Sequence, residues 1–178
     1  MSTESQPTPQ AEAPALGTMG EFLKEHGIKA VALPPSTGTE TLEVNSKDLD
    51  SALRLLRSSS EVKLDFLVAV SGVDQETTFD SVYHLWSFEN NNELVVKVRV
   101  PKADVLPDRL PEVPSIAGFW PAANWHERES YDLIGIRYYG HPYLRRILNP
   151  WDWQGHPLRR DYKQPVDALN DKNPDSFR

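Results

Sequence analysis

The chain has 178 residues, 25% of them charged, with a formal net charge of −7 and no cysteine. This length suits one domain with a real core. The acidic balance argues against a nucleic-acid binder, and the lack of cysteine removes disulfides, Cys-ligated zinc and iron–sulfur ligation while fitting an intracellular address.

Residues 1–17 hold Pro7, Pro9 and Pro14 among small and polar residues and are expected to form a disordered tail. The tail lacks the basic start and apolar run of a secretory signal and the arginines of a transit peptide, so the chain is expected to stay where it is made. No run of roughly 18 apolar residues follows, so membrane contact is expected only through partners. Thr18 opens a helix, with Glu21 completing a capping box, Phe22 and Leu23 on its apolar side and Gly27 ending it. A turn-rich stretch from Pro34 leads to a short strand over 41–44. Asn45 or Ser46 caps a second helix, in which Leu49, Leu53 and Leu56 form a buried stripe with Arg54 and Arg57 outside.

Three strands come next. In the first, 62–70, apolar residues occupy both faces, which predicts a central strand. The second spans 82–88 and the third 94–100, joined by a hairpin loop over 89–93 whose asparagines tolerate positive φ. No glycine-rich phosphate loop follows any strand. The packing this order favours is an α+β two-layer domain, helices on one face of a largely antiparallel sheet. Prolines 101, 107, 111, 114 and 121 then predict a surface excursion. Pro121 begins a helix running to Ile134 and closed by Gly135, on which Arg128 stands at helical spacing from both Asn124 and Asp132. Beyond it Gly140, Pro142, Pro150, Gly155 and Pro157 break every regular element. The organisation read here is a tail over 1–17, an α+β domain over 18–134, and an extended irregular C-terminal docking arm and tail over 135–178.

The arm has its own chemistry. Residues 1–120 carry 10 basic against 18 acidic side chains, whereas 121–163 carry 7 against 5, so a locally basic region sits on an acidic protein. Residues 119–162 hold 10 of the 17 aromatics, among too many breakers for a separate core. These rings either fold back over the sheet or, with the pairs Arg145-Arg146 and Arg159-Arg160, form a protein interface, where Trp, Tyr and Arg are enriched. Both can hold at once.

Enzymatic readings fare poorly. Glu127 and Glu129 point to different faces of a helix and cannot act as a facing acid and base. Ser130 stands where a zinc motif begun by His126 and Glu127 needs its second histidine. His126, His141 and His156 show no ligand spacing, and Ser71 and Ser130 lack a nucleophile elbow. His141 and His156, each before a proline, read as turn residues bonded to backbone.

The run Glu127-Arg128-Glu129, Asp132-Leu133-Ile134, His141 and Arg145-Arg146-Ile147-Leu148 resembles the signature of the 30 kDa, C-type subunit of respiratory complex I, the NADH-quinone oxidoreductase. Gly155 to Tyr162, with Arg159, Arg160 and Asp161, is similar to that family's second block. His126, Ile134 and Arg160 depart from the residues usual in relatives, without removing a charge from the motif. The resemblance implies a small peripheral-arm subunit, without a cofactor of its own, that packs on the large D-type subunit, which with the iron–sulfur B-type subunit shapes the quinone site. NADH or ferredoxin, quinone and iron–sulfur clusters would belong to partner subunits. The implied location is the cytoplasmic side of a plasma or thylakoid membrane, since the family's relative is the J-type subunit of the cyanobacterial and chloroplast complex. The expected partner-facing residues are Glu127, Arg128, Glu129, Asp132, His141, Arg145, Arg146, Trp151, Trp153, Arg159, Arg160, Asp161 and Tyr162. The alternatives are a stand-alone protein-binding module and a subunit of a related membrane-bound hydrogenase complex.

Overall fold

Alternation along two strands sets the centre of the fold. In a computed structural model, which describes residues 14–35, 38–105 and 109–163, β4 (Thr78–Ser87) and β5 (Asn92–Pro101) form a long antiparallel hairpin. Leu94, Val96 and Val98 of β5 lie opposite Leu85, Tyr83 and Ser81 of β4, all on one buried face. Asn91 takes the positive φ, 51°, in the turn between them. β3 (Phe66–Asp74) flanks β4 antiparallel, β2 (Thr41–Val44) flanks β5 parallel, and β1 (Ala30–Leu33) pairs antiparallel with β2. The sheet order is thus β1-β2-β5-β4-β3, antiparallel at three of its four junctions.

Helices cover the buried face. α2 (Leu49–Ser58) sinks Leu49, Ala52, Leu53 and Leu56, while Arg54 and Arg57 stack on the rings of Phe119 and Trp120. α1 (Thr18–Glu25) buries Met19, Phe22 and Leu23. α3 (Ala123–Leu133) lies against β3, and Gly72 makes the close approach possible: a Cβ there would stand 3.1 Å from the Ser130 Cβ. The domain is therefore α+β with its helices on one face.

Several expectations need correction. The apolar run near residue 66 is an edge strand, not a central one: β3 ends the sheet order, Phe66 lies half exposed on the uncovered face, and a bulge between Leu67 and Ala69 leaves Val68 half exposed as well. Thr18 and Glu21 form no capping box. Gly17 is the N-cap, and the Glu40 carboxylate, from the approach to β2, accepts the N–H groups of Met19 (3.1 Å) and Gly20 (2.8 Å). Asp48, not Asn45 or Ser46, precedes α2, and Asn45 instead accepts the Lys47 N–H in a local turn. The proline-rich segment returns to the core: Val113, Ile116 and Trp120 are buried, and the Trp120 indole donates to the Asp65 carbonyl at 2.9 Å. Within it β6 (Glu112–Pro114) pairs in parallel with β7 (Arg137–Tyr139), a strand the sequence did not announce; nor did it announce β1. Of the expected tail, residues 1–13 lie outside the described residues, whereas Leu16 packs on the core. Residues 164–178 of the expected arm also lie outside them.

The long-range cap of α1 is testable. Replacing Glu40 with Ala should cost about 1 kcal/mol in urea denaturation, the usual worth of an N-cap, while Thr18→Ala should change stability by less than about 0.5 kcal/mol. A larger loss at Thr18 than at Glu40 would restore the local capping box.

Candidate functional site

The sequence of α3 gives it two buried faces. Ala123, Glu127, Ser130 and Ile134, at helical spacing, turn inward, whereas Arg128 and Asp132 are buried under the arm and Glu129 and Trp125 stay exposed. Gly135 ends the helix at φ +79°, with its N–H bonded to the Ser130 and Tyr131 carbonyls.

That end of α3 organises the arm. The Asp132 carboxylate accepts five bonds from it: Arg146 Nη1 at 2.7 Å and Asn149 Nδ2 at 2.8 Å on one oxygen, and the backbone N–H groups of Ile147 (2.9 Å), Leu148 (2.8 Å) and Asn149 (2.9 Å) on the other. Burial alone would raise the carboxyl, but the bonds from Asn149, Arg146 and Leu148 outweigh it and hold it at about 2. The helix's terminal carbonyls are taken in the same way. Asp132 O accepts from Arg146 Nη1 (3.0 Å) and His156 Nδ1 (3.0 Å), Leu133 O from the Leu158 N–H (2.9 Å), and Ile134 O and Gly135 O from Arg159 (2.6 and 3.3 Å). His156 and Arg159 sit so close to Gly135 that a Cβ there would meet them at 2.5 and 2.8 Å. The Arg146 and Arg159 guanidinium groups, at the negative end of a helix dipole, reinforce the arrangement.

Glu127 works toward the core. Its oxygens accept from the Ile116 N–H and the Ser115 hydroxyl, both at 2.6 Å, and burial pushes its carboxyl up to about 7 against the pull of those bonds. His141 Nε2 lies 3.9 Å away. The imidazole is nevertheless neutral: Nδ1 accepts the Tyr143 N–H at 2.9 Å, so Nε2 carries the proton and donates it to the Asn124 carbonyl at 3.1 Å. Burial lowers its pKa accordingly. Below this pair, the Tyr138 hydroxyl bonds Ser81 at 2.9 Å and ties β7 to β4.

The arginine pairs thus divide. Arg146 and Arg159 are held inside the chain, whereas Arg145 is exposed with its guanidinium over the Tyr143 ring at 4.3 Å. Arg128 does not pair with Asp132; it stacks on Trp125 (4.7 Å) and donates to the Arg145 carbonyl at 3.3 Å. Arg160 is exposed, although its N–H fixes the arm to Asp74 of β3 at 2.8 Å. Trp151 is 91% exposed, Trp153 and Tyr162 are half buried, and Asp161 and Glu129 are exposed. Beside Arg145 and Trp151 lies an open cleft, lined also by Trp125, Arg128, Leu144 and Ile147 and reached by the edge of Arg146. Sequence reasoning missed Asn149, Ser115 and Tyr138. Asn149 directly follows the Arg145–Leu148 block and could have been read with it; nothing local marks the other two. Among the described residues, no group of three His, Asp or Glu side chains could hold a metal, and no helix is long and apolar enough to cross a membrane.

The family profile of the respiratory-chain NADH dehydrogenase 30 kDa subunit matches residues 42–167, from β2 through the arm. The chain belongs to that family. The C-type subunit of the NADH-quinone oxidoreductase of Roseiflexus sp. (strain RS-1) is 43% identical over 127 residues, covering 70% of either chain. The corresponding protein of Methylobacterium radiotolerans is 38% identical over 150 residues, 83% of this chain and 63% of its own. In fold, the chain is similar to one in the membrane-bound sulfane sulfur reductase, an archaeal respiratory membrane complex, with TM-score 0.65, 22% identity and coverage of 86% and 87%. The matched residues include α3 and the segment that binds its end.

Two substitutions probe this geometry. Gly135→Ala forces a side chain into both a left-handed backbone and the His156 ring, and should cost more than about 2 kcal/mol in urea denaturation. Glu127→Gln should alter the pH dependence. The folded carboxyl near 7 exceeds the unfolded value of about 4.3, so Glu127 contributes a penalty that is absent below pH ~4.3, grows as pH rises and levels off above ~7. Between pH 5 and 7.5 the wild type should lose about 2 kcal/mol relative to the Gln variant; a constant difference would mean that Glu127 ionises normally.

Proposed function

We propose that this chain is a peripheral, cofactor-free subunit of a proton-translocating quinone oxidoreductase driven by NAD(P)H or ferredoxin. It docks on the quinone-reducing module, made of the large D-type and the iron–sulfur B-type subunits, from the cytoplasmic side of the membrane, and supports that module's assembly. Electron transfer and proton movement take place in the partners. The observation that carries the reading is the division of labour in the arm. Asp132, Arg146, Asn149 and Arg159 fix its backbone internally, so the nearby Tyr143, Arg145, Leu148 and Trp151 are presented to solvent from a rigid frame.

Such a frame suits docking. A preorganised loop loses little entropy on binding, and exposed Trp, Tyr and Arg are the side chains that dominate interface energetics. Membership of the 30 kDa subunit family supplies the partner class. The stacked Arg145 guanidinium, with no carboxylate paired to it among the described residues, suits an acidic group on the partner.

Purification of the tagged chain from membranes of its own host tests the reading. Iron–sulfur absorbance and membrane subunits should co-elute with it. The paired change Arg145→Ala and Trp151→Ala should cut that co-elution about tenfold or more while leaving the melting temperature of the isolated chain nearly unchanged. A wild-type chain that elutes alone would end the proposal.

A further inference from the structure

β3 ends the sheet order, so among the described residues its outer edge has no neighbouring strand. Among the described residues, that edge makes no backbone hydrogen bond to any other segment from Phe66 to Asp74. Natural sheets guard such edges with Lys, Pro, bulges or short length. The opposite edge, β1, is four residues long. β3 has nine residues and one bulge at its start, and from Ala69 to Val73 it carries no charge and no proline.

A cleft runs beside this stretch. Its floor is Ala69 to Gly72, and its far wall is the His126, Glu129 and Leu133 stripe of α3 with Leu158 of the arm. At about 180 Å³ it is smaller than the ~300 Å³ at which small-molecule sites begin. A row of strand N–H and C=O groups is matched in spacing by another extended backbone. The Glu129 carboxylate in the wall is exposed and has no hydrogen bond or ion pair among the described residues. A second copy is a poor match. Its β3 contains no Lys or Arg to meet Glu129, and two chains of net charge −7 repel.

We infer that the open edge of β3 takes up an extended segment of a partner subunit as a sixth strand, small or apolar where it faces the cleft and carrying a Lys or Arg that meets Glu129. This rests on the reading of the chain as a docked subunit. It adds a second attachment, through backbone hydrogen bonds, to the aromatic and arginine surface of the arm.

Amide hydrogen exchange tests it on the full chain, free and within the complex purified through its tag. Peptides covering 66–74 should exchange about tenfold or more slowly at their outward amides in the complex. Glu129→Arg should lower co-purification several-fold without lowering the melting temperature of the free chain. Unchanged exchange over 66–74 in a complex whose 143–151 peptides are protected would overturn the strand addition and leave the docking reading standing. A chain that captures no partner would overturn both. Protection of 66–74 in the isolated chain that rises with its concentration would replace the partner strand by a second copy.

Discussion

An α-helix leaves its last carbonyls without intrahelical donors, and leaving such a group buried and unpaired costs about 1 to 3 kcal/mol. At the end of α3 these carbonyls are met by His156, Leu158, Arg146 and Arg159, all from the arm that follows. The buried Asp132 carboxylate takes five more bonds from Arg146 to Asn149. The arm has too few apolar residues in regular spacing to fold alone. What shapes it is this concentration of acceptors at one helix end, a polar core that replaces the hydrophobic one.

The sheet and the arm are linked through the same helix. Ser130 packs at Gly72 on β3 while Asp132, two residues on, gathers the arm, so α3 transmits the position of the sheet to the arm within one helical turn. Glu127 closes the other side by holding Ser115 and Ile116, which bring the proline-rich segment back into the core. Buried charges of this kind add less to stability than apolar replacements of equal volume often would, but they fix one geometry. A geometry fixed in this way is what a docking surface needs.

Much of the fold was legible because it follows from local pattern. The alternation of Leu94, Val96 and Val98 and the asparagines before them announce the hairpin, and the Leu49, Leu53, Leu56 stripe announces α2. The failures share a cause. Glu40 caps a helix some twenty residues away, and the 62–70 run reads as doubly buried because sequence cannot say that one of its faces and its outer edge stay open. The site shows the same division. The motif around Asp132 and Arg146 stands out as a constellation, and the family it suggested is the one the chain belongs to, but charges in a sequence carry no direction. Arg145 and Arg146 are neighbours with opposite destinations, one outward on Tyr143 and one inward on Asp132.

The acid titration of Asp132 in the isolated chain, followed through its carboxyl-carbon NMR shift, addresses the central claim most directly. With the arm closed on the helix end, the midpoint should fall near 2. A midpoint close to the ordinary aspartate value of about 3.9 would mean that the five donors are not in place in solution and that the arm is not built on α3.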